Sequence, residues 1–86
     1  MEIKQNQTRI SLWNKGSRFA KIELNKLFIT NGYSRDDREL WVKFKFNTID
    51  GCLDLLQPYL SIKDIDLSLQ QIEYIKGLYL SLYLSL

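Results

Sequence analysis

Apolar and polar positions change their period near the middle of this chain. Two-residue alternation runs through residues 1–46, and helical spacing runs through residues 47–86. From Thr8 to Trp13, Ile10 and Leu12 fall on one side and Arg9, Ser11 and Trp13 on the other, as side chains do along a strand. From Phe19 to Leu24 the pattern repeats, with Ala20, Ile22 and Leu24 opposing Phe19, Lys21 and Glu23. Between these runs, Asn14-Lys15-Gly16-Ser17 reads as a hairpin loop with Gly16 at positive φ, where a Cβ would be penalised. Asn25-Lys26 predicts a tight turn into a strand over Leu27–Thr30, and Asn31-Gly32 is a further turn signal. The charged run Ser34 to Arg38 extends that connection. A strand over Glu39–Phe46 follows, with Leu40, Val42, Phe44 and Phe46 on one face and Trp41, Lys43 and Lys45 on the other.

Asn47 or Thr48 can cap a first helix, and Asp50 suits its positively polarised first turn. Ile49, Cys52, Leu53, Leu56 and Leu60 then recur at helical spacing. Pro58 is expected to end or kink this helix, since it lacks the N–H owed to the Asp54 carbonyl. Ser61 to Leu67 reads as a connector. Ser68 and Gln71 match a capping box opening a second helix, with Ile72, Ile75, Leu78, Tyr79, Leu82 and Leu86 on one face and Gln70, Gly77, Ser81 and Ser85 opposite. Leu78 to Leu86 reads LYLSLYLSL, which is also a strand pattern with Gly77 as the helix terminator. A continuous helix is the preferred reading, and the strand stands beside it.

These elements predict an α+β fold in one domain, residues 1–86. An antiparallel three- or four-stranded meander (1–46) precedes two C-terminal helices (47–86) packed on one face, in the order β-β-β-β-α-α. Composition fits: 45% hydrophobic and 13% aromatic residues describe a globular chain. A single cysteine, Cys52, allows no internal disulfide, and Met1 to Thr8 is too polar for a signal peptide. The longest uncharged run, Gly77 to Leu86, is far shorter than the roughly 20 residues a membrane helix needs. The expectation is a cytoplasmic protein without membrane contact. Net charge is only +2, but residues 1–46 carry ten Lys/Arg against five Asp/Glu, and residues 47–86 carry two against five. A basic half and an acidic half fit either a basic binding face or simply strands that carry lysines and helices that carry aspartates.

Catalytic chemistry is poorly supplied. With no histidine, the commonest general base and metal ligand is missing, and one cysteine cannot anchor a zinc site. The carboxylates cluster as Asp50 with Asp54, Asp64 with Asp66, and Asp36 and Asp37 with Glu39 beside Arg35 and Arg38. Capping and solvation account for them better than metal binding does. Cys52 has no histidine to activate it and sits on an apolar stripe, which favours a buried, inert thiol. No catalytic residue, metal, cofactor or small-molecule substrate is expected, and the chain reads as non-enzymatic.

Two surfaces remain as candidates. If helices cover one sheet face, the other displays Arg9, Trp13, Phe19, Lys21, Trp41, Lys43 and Lys45, and interleaved cations and aromatics suit nucleic acid. The plainer account is that Trp13 and Trp41 pair across strands under lysine stems. The second surface is the C-terminal segment, where Leu78, Leu80, Leu82, Tyr83, Leu84 and Leu86 form either an interface or part of a central helix buried by its own fold. The preferred expectation is a protein–protein interaction module, an adaptor, small subunit or inhibitor of a larger assembly that includes self-association as a homodimer. A nucleic-acid-binding protein using the sheet face is the alternative.

Overall fold

The computed structural model describes residues 1–30 and 41–84. The expected turn at Asn31-Gly32, the charged connection through Arg38, the start of the last strand at Glu39 and Leu40, and the proposed interface residue Leu86 lie outside the described residues. The fold is α+β: a five-stranded antiparallel sheet followed by two C-terminal helices. The strands are β1 (Glu2–Gln5), β2 (Ile10–Asn14), β3 (Ser17–Glu23), β4 (Lys26–Thr30) and β5 (Trp41–Lys45), paired in sequence order. Helix α1 spans Ile49–Ile62 and α2 spans Leu69–Tyr79, and a π-helical turn continues α2 over Leu80–Leu84.

The sheet therefore has one strand more than alternation predicts. β1 carries a single apolar residue, Ile3, which packs partly buried against the core. Its pairing to β2 is organised by Asn6, whose Oδ1 accepts from the N–H groups of Thr8 and Arg9, each at 2.9 Å. This Asx turn reverses the chain and seats Ile3 opposite Leu12. The strand is thus a product of its turn and neighbour, not of its own hydrophobic pattern.

The two hairpin turns that follow are tight. Lys15 and Gly16 have φ of 51° and 78°, the pair of positive values that matches the right-handed twist of adjoining strands. In the β3–β4 turn the positive φ, 55°, falls on Leu24. Leucine there is strained by roughly 1–2 kcal/mol. The turn is held from both sides: Tyr79 Oη donates to the Leu24 carbonyl at 2.9 Å, and Phe46 N–H donates to the Asn25 carbonyl at 3.0 Å.

One sheet face forms the core. Ile10, Leu12, Ala20, Ile22, Leu27 and Ile29 are fully buried there, facing Cys52, Leu56 and Leu60 of α1 and Ile75 of α2. Phe44 and Phe46 extend this layer through ring contacts with Tyr59 and Tyr79, each at 5.9 Å between centres.

Helix α1 starts as expected, with Thr48 Oγ1 accepting from the Gly51 N–H at 3.1 Å. It does not stop at Pro58. It runs one further turn to Ile62, so Ser61 and Ile62 are helical, not connector. The lost hydrogen bond at Pro58 is tolerated because that turn buries Leu60 and ends in a closed cap. Asp64, at φ 58°, donates its N–H to Ser61, and Ile65 donates to Leu60 at 2.9 Å, a Schellman arrangement with Ile65 buried. Helix α2 opens with the expected box: Gln71 N–H to Ser68 Oγ at 3.1 Å and Ser68 N–H to Gln71 Oε1 at 2.9 Å. Leu78 to Leu84 is helical, and Gly77 does not terminate α2. Among the described residues no helix is long and apolar enough to cross a membrane.

Candidate nucleic-acid interface on the open sheet face

Residues that alternate with the core layer lie on the opposite side of the sheet, where Ser11 is buried, Trp13, Lys21, Phe28 and Trp41 are partly buried, and Lys4, Lys43 and Lys45 are exposed. Register arranges them in three rows. Lys4, Ser11, Lys21, Phe28 and Lys43 cross all five strands side by side. On one flank lie Glu2, Trp13, Arg18, Thr30 and Trp41; on the other, Arg9 precedes β2 and Glu23, Lys26 and Lys45 sit abreast. Seven cations thus share this side with two carboxylates among the described residues. The described helical half carries Asp50, Asp54, Asp64, Asp66 and Glu73 against Lys63 and Lys76. The charge asymmetry along the sequence has become an asymmetry between two sides of the molecule.

Cations and rings on this face are in contact. Lys4 Nζ lies 4.3 Å from the Trp13 ring centre, and Lys21 Nζ lies 4.7 Å from Trp41 and 5.1 Å from Phe28. The Arg18 guanidinium stands between the two indoles, 5.4 Å from Trp41 and 6.0 Å from Trp13. Trp13 and Trp41 are not a cross-strand pair, because β3 and β4 separate their strands; Arg18 bridges them. Each such contact contributes about 0.5–1 kcal/mol at an exposed site. Among the described residues the carboxylates form loose ion pairs, Lys4–Glu2, Arg9–Glu23 and Lys21–Glu23, all at 3.7 Å. Lys43 and Lys45 are solvent-exposed on β5.

Phe19 does not belong to this surface. Register slips between Leu12 and Trp13, so that Ala20 pairs with Leu12 but Arg18 pairs with Trp13. Phe19 is the extra residue of a β-bulge, and it turns into the core, 3% exposed, with Lys63 Nζ from the end of α1 at 5.7 Å from its ring centre. The slip puts Arg18 on the open face in its place. Sequence alternation assigned the wrong one of these neighbours, and only the slip in pairing could have corrected it.

The second expected surface divides between partly buried and exposed residues. Leu78, Leu82 and Tyr83 pack partly buried against the core. Tyr83 Oη shares its proton between the carbonyls of Thr8 at 2.8 Å and Ile22 at 3.1 Å, and its ring stacks obliquely on Tyr79 at 5.0 Å. What remains outward is Leu80, 50% exposed, and Leu84, 60% exposed.

Other chemistry is sparse. Burial pushes the Cys52 thiol up to about 12, so it is protonated and unreactive at neutral pH. A shallow groove of about 220 Å³ between α1 and α2 is lined by Leu53, Leu67, Ile72, Gln57, Asp54, Asp50 and Lys76. Asp50 and Lys76 are closed on each other at 2.8 Å, leaving little charge for a ligand. Among the described residues no group of three potential metal ligands exists. Compared with models of protein families, with curated proteins and with solved structures, the chain finds no match.

Proposed function

We propose that this domain is a non-enzymatic binding module whose open sheet face takes nucleic acid. The observation that carries the reading is the segregation of charge: among the described residues, seven cations against two carboxylates lie on the side opposite the helices. Such a field attracts a phosphate backbone over a distance of about 10 Å at ordinary ionic strength. The experiment is retention on single- and double-stranded DNA and RNA at about 50 mM salt, where electrostatic binding is strong. Retention that fades with salt, and weakens in Lys43→Ala and Trp41→Ala, is the expected result. If no nucleic acid is retained, the reading is wrong.

Association with protein remains a second reading, favoured by the exposure of Leu80 and Leu84. Burying a leucine contributes about 1.5–3 kcal/mol, while a specific interface buries on the order of 1,000 Å² or more. Two leucines can anchor a contact but not constitute one, which is why the sheet face ranks first. Sedimentation of the wild type and of the Leu80→Glu/Leu84→Glu variant tests this reading. A monomer in both cases would remove self-association.

A further inference from the structure

We propose that the outer edge of β5 accepts an added antiparallel strand from a partner protein, an extended segment in which acidic and apolar residues alternate. This goes beyond the nucleic-acid reading, because the contact is a backbone ladder that only a polypeptide can supply. Its basis is the hydrogen-bond phase of β5, the last strand of an open sheet. Phe46 donates its N–H to the Asn25 carbonyl at 3.0 Å, and the two residues stand opposite each other in the register that sets Lys45 against Lys26. Bonded pairs alternate with unbonded ones along an antiparallel ladder. Phe44 and Val42 therefore bond to β4, while Trp41, Lys43 and Lys45 direct their N–H and C=O groups away from the sheet. Among the described residues no backbone group outside the sheet bonds to that edge. The far edge offers less. Asn6 N–H bonded to the Arg9 carbonyl sets a phase that leaves only Ile3 and Gln5 of β1 outward, and Lys4 there is paired with Glu2.

Side chains above and below this edge define what the added strand carries. Val42 and Phe44 are partly exposed, although Ile29 and Leu27 beside them in the same layer are fully buried. On α1, Leu53 and Gln57 turn toward α2, while Leu55, Tyr59 and Ile62, spaced four and three apart, share the opposite flank. The Tyr59 ring lies 5.9 Å from that of Phe44, so this flank stands beside β5, and Ile62 at its end is 81% exposed. Every second side chain of a strand laid on β5 enters this apolar cleft. Those between lie on the other side, next to Lys43 and Lys45, which are exposed and, among the described residues, unpaired with any carboxylate. Opposite charges facing each other across a strand pair are favourable and like charges are not, so these positions select glutamate or aspartate. A second copy fits badly, since β5 laid antiparallel on itself about Lys43 sets Lys43 against Lys43. Lysine on a bare edge deters indiscriminate pairing, and the same charge makes the edge specific for an acidic strand.

The test titrates the intact, isotope-labelled chain with short end-blocked peptides and follows its amides by NMR. The probes are a peptide of alternating glutamate and valine, the same peptide N-methylated at its glutamates, the same N-methylated at its valines, and an alternating lysine–valine peptide. In an antiparallel ladder the glutamates opposite Lys43 and Lys45 carry the N–H groups that bond to β5. The glutamate–valine peptide should shift the Lys43 and Lys45 amides and slow their exchange with solvent, with Val42 and Phe44, already bonded to β4, changing little. Methylation at the valines should leave binding intact, whereas methylation at the glutamates should weaken it by roughly tenfold or more. Lys43→Gln should weaken it about 2- to 5-fold, and the lysine–valine peptide should not bind. Three results overturn the inference: no binding of the glutamate–valine peptide, equal binding of the glutamate-methylated one, or largest shifts in β1 or between the helices. A dimer without peptide in which the Lys43 and Lys45 amides are already protected also overturns it, by assigning the edge to a second copy.

Discussion

Alkaline pH is predicted to unfold this protein through Cys52. The thiol sits in the first turn of α1, fully buried in the core, and burial raises its pKa from an ordinary 9.0 to about 12. In the unfolded chain the thiol loses its proton first, so above pH 9 the unfolded state binds fewer protons than the folded one. Stability is whole below pH 9 and falls as pH rises, until the folded thiol also ionises near pH 12. Each pH unit in that window costs about 1.4 kcal/mol, or roughly 2 kcal/mol by pH 10.5. That is a large share of the 5–15 kcal/mol typical of a domain, and corresponds to a fall in Tm of about 8–16 °C. The assay is denaturant unfolding of wild type and Cys52→Ala at pH 7 and pH 10.5. Cys52→Ala should be less stable at pH 7, because it leaves a small cavity, yet lose about 2 kcal/mol less on moving to pH 10.5. Tyr83, also raised by burial, contributes an alkaline loss that both proteins share. If the difference between the two proteins is the same at both pH values, Cys52 titrates as an exposed thiol and its place in the core is refuted.

Three further outcomes follow from the packing. Tyr79→Phe removes the hydroxyl that ties α2 to the β3–β4 turn at Leu24, and should cost about 1 kcal/mol in chemical denaturation. Leu24→Asn relieves a positive φ at a residue that is 60% exposed, and should raise stability by about 0.5–1 kcal/mol; a loss would mean the leucine side chain contributes more than its strain. Pro58→Ala returns the N–H that the Asp54 carbonyl lacks within α1, and should stabilise by about 1–3 kcal/mol, measured as a higher denaturation midpoint.

Local chemistry made much of this fold legible in advance. Alternation in Ile10–Leu12, Ala20–Ile22 and Val42–Phe46 set which residues face the core, because a two-residue period leaves only two faces to choose from. Ser68 with Gln71, Thr48 and Gly16 announced helix starts and a hairpin because each device is complete within four residues. The separation of basic from acidic residues was likewise present in their order along the chain.

Tertiary contact decided the rest. β1 exists because the Asn6 turn lays an almost wholly polar segment against β2, and a single isoleucine cannot signal that by itself. Phe19 lies in the core and Arg18 on the open face because one extra residue in β3 shifts every side chain beyond it. That shift depends on what β2 pairs with, not on the alternation itself. The leucine-rich end is helical, and Tyr83 belongs to the fold, because its hydroxyl meets the Thr8 and Ile22 carbonyls across more than sixty residues. Periodicity records which sides a segment possesses. Only packing against distant partners selects the register in which those sides are used.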